Sequence, residues 1–80
     1  MTTRESVLAL LARVCGADEV RSDLDLRLYD LGILDSLRTV DLILALSAEL
    51  GIDVSPAEFD REQWATPGQI VAEVERRLGA

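Results

Sequence analysis

The sequence predicts an all-α fold of four helices, with a short third helix and a long first connection. Apolar residues recur at three- and four-residue spacing through most of the chain. Helix-start and helix-stop signals bracket those stretches, and no segment shows convincing strand alternation. The 80 residues predict one domain, 1–80. A chain of this size buries only about 60–65% of the surface its unfolded form exposes, which leaves no room for a deep active-site cleft.

The first helix is expected from about Thr3 to Cys15. Val7, Leu8, Leu11, Val14 and Cys15 share one face, Thr2 with Glu5 reads as a capping box, and Gly16 supplies the stop. Residues 17–35 read as a connection in which Leu24, Leu26, Leu28, Leu31 and Leu34 pin the chain to the helices. A connection this long in so small a domain is often functional. Its Asp23-Leu24-Asp25 start resembles a calcium loop, but the sixth and twelfth positions, where an EF-hand needs Gly and Glu, hold Leu28 and Leu34.

The second helix should run from Asp35 or Ser36 to Leu50, stopped by Gly51. Its core stripe is Thr39, Leu42, Ile43, Leu46 and Leu50; Leu37, Asp41, Leu44 and Ala48 lie opposite. Ser55-Pro56-Ala57-Glu58 signals the short third helix, with Phe59 as its core anchor. Thr66-Pro67-Gly68-Gln69 opens the last helix, whose apolar face is Ile70, Val71, Val74 and Leu78. Its exposed end carries Glu75, Arg76 and Arg77, the two arginines suited to the negative helix end.

Composition narrows the function. The hydrophobic fraction of 49% supports a core, while aromatics make up 4%, so that core is mainly aliphatic. Fifteen acidic residues against eight basic ones give a net charge of −7, and every basic residue is Arg. Such a surface repels nucleic acid and anionic lipid and suits proteins with basic docking patches. With no His, no Lys and one Cys, the chain has no nucleophile–base pair and no zinc spacing, so neither an enzyme nor a metal site is expected. No run is apolar enough to span a membrane and Met1–Glu5 shows no signal peptide, so the expected compartment is the cytoplasm. Cys15 reads as a small buried core residue, and Trp64 as packing a loop against the core.

The chemistry-bearing stretch is Asp30-Leu31-Gly32-Ile33-Leu34-Asp35-Ser36-Leu37. Gly32 permits a tight turn, and Asp35 can cap the following helix. Ser36 then falls in the first helical turn, where a phosphate on its hydroxyl would meet the positive end of the helix dipole. On spacing alone, Asp-Ser here reads either as an ordinary capping pair or as a modification site. Leu37, Leu44 and Ala48, off the core stripe, read either as scattered surface apolars or as a docking patch beside Ser36.

Leu31-Gly32 through Asp35-Ser36-Leu37, leading into Thr39, Val40, Asp41, Leu42 and Leu46, resembles the attachment site of acyl and peptidyl carrier proteins. Helix pattern, loop length and total length agree across essentially the whole chain. The resemblance implies an acyl-carrier-protein-like four-helix bundle in which Ser36 receives 4′-phosphopantetheine from coenzyme A. A finer similarity, in Tyr29–Leu37 and in Phe59-Asp60-Arg61-Glu62-Gln63-Trp64-Ala65-Thr66-Pro67, is to the D-alanyl carrier protein family. That implies a monomeric cytoplasmic carrier, loaded by a phosphopantetheinyl transferase and an adenylating amino-acid ligase. A membrane acyltransferase system then uses the D-alanine to esterify teichoic acids. Leu37, Arg38, Val40, Asp41, Leu44 and Ala48 are the expected docking residues. Arg38 reads as a solvated charge or as a contact to the ligase or the phosphodiester, and Val40 as lining the exit of the arm. Stand-alone carriers of natural-product pathways, which take other amino acids, are the alternative, followed by a cofactor-free helical adaptor.

Overall fold

Four helices, α1 (Thr3–Cys15), α2 (Glu19–Ser22), α3 (Ser36–Leu50) and α4 (Pro67–Arg77), make up the secondary structure of the computed structural model, which describes residues 2–55 and 59–79. Among the described residues there is no strand, so the all-α expectation holds.

In α1 the Thr2 hydroxyl accepts the Glu5 N–H at 3.1 Å, and Gly16, at φ 65°, returns its N–H to the Ala12 carbonyl. The apolar face is wider than the predicted stripe. Leu10 and Ala12 are buried along with Val7, Leu8, Leu11 and Cys15, while Val14 is half-buried. The cause is position: α1 packs against α2, α3 and α4, so more of its circumference meets protein than an edge helix presents.

The connection after α1 differs from the continuous loop read in the sequence, because α2 forms one turn inside it. Val20, fully buried, anchors that turn. A four-residue helix is too short to show a period, so the pattern could not announce it. Of the loop leucines, Leu28 and Leu34 enter the core and Leu24 and Leu26 are half-buried. Leu31 corrects the expectation: it is 61% exposed. Ile33 and Leu34 both donate backbone N–H groups to the Leu28 carbonyl, at 2.9 and 3.0 Å, which folds the chain back on Leu28. Leu31 stands between these anchors, in the turn, and faces out.

In α3, Leu42 and Leu46 are fully buried, and Thr39, Ile43 and Leu50 half-buried. Gly51 ends the helix in the left-handed region at φ 67°. Ile52 and Val54 then drop into the core. Most of the predicted third helix, residues 56–58, lies outside the described residues. Phe59 and Asp60 beyond it are not helical, and the Asp60 carboxylate accepts the Glu62 N–H at 2.9 Å to form a turn. Phe59 is half-buried rather than deep in the core. It stacks on Trp64, centroids 5.1 Å apart, and meets Tyr29 edge-on at 6.3 Å. Trp64 itself is 1% exposed.

The capping box of α4 is complete, with Thr66 and Gln69 satisfying each other's backbone. Ile70, Val71 and Val74 are buried. Leu78, expected on the same face, is 44% exposed, because the helix ends at Arg77 and Leu78 sits in the turn beyond it. Two backbone bonds tie the connection to this end of the molecule: Leu28 N–H to the Ala65 carbonyl and Gly68 N–H to the Leu24 carbonyl, both 2.9 Å. The buried side chains of all four helices merge into one cluster. No helix among the described residues is long and apolar enough to cross a membrane.

Candidate functional site

The start of α3 is built by the turn before it. Gly32 adopts φ 73°, a conformation that a side chain disfavours, and this lets the chain reverse onto Leu28. Leu34, 1% exposed, is thereby driven into the core, and the next residue must leave it. Asp35 is extended (φ −142°, ψ −173°), and its Oδ1 accepts the Arg38 N–H at 2.9 Å, as a helix cap does. Ser36 follows as the first residue of α3 and is exposed.

A chain of contacts leads to that serine. The Thr39 hydroxyl donates to the Asp35 carbonyl at 2.7 Å, which uses its one proton. Tyr29 must therefore be the donor in the 2.6 Å bond between its phenol and Thr39 Oγ1. The Tyr29 ring in turn carries the Arg61 guanidinium, 4.8 Å from its centroid. Arg61 Nη2 closes the circuit by donating to Ser36 Oγ at 3.0 Å. Burial pushes the Tyr29 phenol above its ordinary pKa, so it keeps its proton at neutral pH. An open groove of about 600 Å³ adjoins the circuit, with Asp25, Tyr29, Asp30, Arg61 and Thr66 in its wall.

The other predicted residues lie along the outward face of α3. Leu37 is 80% exposed, Val40 51% and Leu44 62%, and Asp41 and Ala48 are exposed too. The 37, 41, 44, 48 spacing places them in one line along the helix, with Val40 beside it. Arg38 turns back along the turn: its Nη1 donates to the Ile33 carbonyl at 3.3 Å. Cys15 is buried, and burial raises its thiol pKa to about 11. Among the described residues no cluster of His, Cys, Asp and Glu is placed to hold a metal. Sequence reasoning did not assign Arg61 to the site, nor Tyr29 and Thr39 as its support. Arg61 is 25 positions from Ser36, and no periodic pattern links them.

The family model for the phosphopantetheine attachment site matches residues 5–79. The class follows: this is a carrier of covalently attached 4′-phosphopantetheine, acted on by enzymes and not itself one. The D-alanyl carrier protein of Lacticaseibacillus rhamnosus is 45% identical over 73 residues, covering 91% of this chain and 90% of its own. That of Enterococcus faecalis is 45% identical over 75 residues, covering 94% and 96%. D-alanyl carrier protein 1 of Lactiplantibacillus plantarum is 49% identical over 73 residues, covering 91% and 90%. The chain belongs to the D-alanyl carrier protein family.

Proposed function

We propose that Ser36 bears the 4′-phosphopantetheine and that the chain carries D-alanine on it. An adenylating ligase supplies the amino acid, and a downstream acyltransferase takes it for esterification of teichoic acids. The observation that carries the assignment is the exposed Ser36 hydroxyl at the first position of α3. Water and a transferase can both reach it, and the unsatisfied N–H groups of the first helical turn favour an anion there. When attached, the arm supplies a thiol for a thioester. The chain's own residues do the rest: Asp35 fixes the helix start, Leu34 and Leu42 root it in the core, and Ser36 holds the ester oxygen at the surface.

Partner enzymes dock on the line Leu37, Val40, Asp41, Leu44 and Ala48, with Arg38 beside it. Apolar side chains this exposed, in a row next to the attachment point, suit a surface that is covered only during each transfer. D-alanine as cargo rests on the names of the relatives, and the cytoplasm follows as the compartment of coenzyme A and of the ligase's adenylate chemistry.

Intact-mass analysis tests the assignment. Coenzyme A and a broad-specificity phosphopantetheinyl transferase should add one phosphopantetheine group to the protein, and Ser36→Ala should abolish the gain. Competitive loading of the modified protein with a panel of amino acids tests the cargo. Preferential loading of another amino acid by the cognate ligase would remove D-alanine while leaving the carrier assignment in place.

A further inference from the structure

We propose that Arg61 is the counter-charge for the phosphodiester on Ser36. Attaching the arm would thus pin the segment around Phe59–Trp64 to the first turn of α3. The inference rests on Ser36 being the attachment point. Arg61 already reaches the oxygen that would become the ester oxygen, at 3.0 Å. A guanidinium that bonds a neutral hydroxyl at that distance lies within reach of the phosphate oxygens two bonds further out, and its several donors suit them in a way a single ammonium does not.

Two further features support the assignment. Arg61 is held in place: it lies on the Tyr29 ring, and Tyr29 is fixed through Thr39 to the backbone of Asp35. The side chain therefore has less freedom to lose on pairing than an arginine waving in solvent. Arg61 is also available, since among the described residues it has no carboxylate partner, whereas Arg13, Arg21, Arg27 and Arg76 are each engaged with one. The phosphodiester adds one negative charge to a chain already at −7, next to the cap residue Asp35. A cation here offsets that repulsion. Arg38 is the other nearby arginine, but its guanidinium faces the Ile33 carbonyl.

The test uses the ³¹P resonance of the modified full chain for the wild type, Arg61→Gln and Arg61→Lys, with each sample's modification verified by intact mass. The expected result is a folded wild-type resonance displaced from its position in denaturant, with at least half of that displacement lost in Arg61→Gln and an intermediate value in Arg61→Lys. Raising the salt concentration should move the wild type toward the Gln variant. Coincident resonances for folded wild type and Arg61→Gln would overturn the proposal while leaving Ser36 as the attachment point. A wild type that gains no mass would sink the attachment itself. If Arg61→Gln resists the transferase, the Arg61 Nε–Hε correlation of the wild type decides: it should shift between unmodified and modified protein, and an unmoved signal refutes the pairing.

Discussion

Asp35 does more for Ser36 than sit next to it in the chain. Its carboxylate closes the first turn of α3 by accepting the Arg38 N–H, and its carbonyl receives the Thr39 hydroxyl. Asp35→Ala should lower stability by about 1 kcal/mol, read from urea unfolding, with Asp35→Asn recovering most of it. The same Ala variant should slow the phosphopantetheine transfer proposed for Ser36, because the first turn frays. This part of the site was legible in the sequence. A cap, its serine and the glycine before them are contiguous, and each has a local physical signature. Arg61 was not, because the contact that defines it is made by a turn folding back across the molecule, and nothing about a lone arginine in Phe59-Asp60-Arg61 says which hydroxyl it will find. The cap at Thr66, by contrast, was legible in full, since both halves of the box lie within four residues.

Helix α4 enters close against the connection at Gly68. A Cβ built on Gly68 would stand 3.1 Å from the Leu24 carbonyl oxygen, which already accepts the Gly68 N–H. Helix propensity alone would make Ala better than Gly here by up to about 1 kcal/mol. The close approach opposes it: the obstruction is backbone, and moving it stretches the bond that ties the connection to α4. Gly68→Ala should therefore lower the urea midpoint, and a raised midpoint would show that the connection yields freely. Elements with several turns were read correctly from their apolar spacing. The misreadings fall where an element is one turn long, where a residue lies just beyond its end, or, as at Leu31, in a turn of the connection that has no period to read. The turn of α2 offers a single anchor, Val20, and Leu78 continues the α4 spacing on paper although the helix has stopped.

At the scale of the molecule, α1 is the shared wall. It touches the other three helices, and an ion pair from Arg13 to Glu49 joins its far side to α3. Cys15, at its C-terminal end, is buried, and that burial couples the fold to alkaline pH. The folded thiol titrates near 11 against an ordinary value of 9.0. Between those values the unfolded chain has lost the proton and the folded chain has kept it, so stability is whole below about pH 9 and falls as pH rises toward 11. The melting temperature should decline across that window, and Cys15→Ala should flatten the decline. The Tyr29 phenol, raised from 10.0 for the same reason, leaves a residual slope at the alkaline end.

The interment of Cys15 also bears on how long a loaded cargo survives. A thioester is attacked by amines and thiolates, and the chain has no lysine and no histidine to present. Its one thiol is shut away, and burial holds its thiolate population at neutral pH well below that of an ordinary cysteine. Acyl migration from the arm onto an amine or thiol side chain of the carrier is therefore closed off by composition and by packing together. A disulfide reagent added to the arm-bearing protein should titrate one thiol per chain under native conditions and a second only in denaturant.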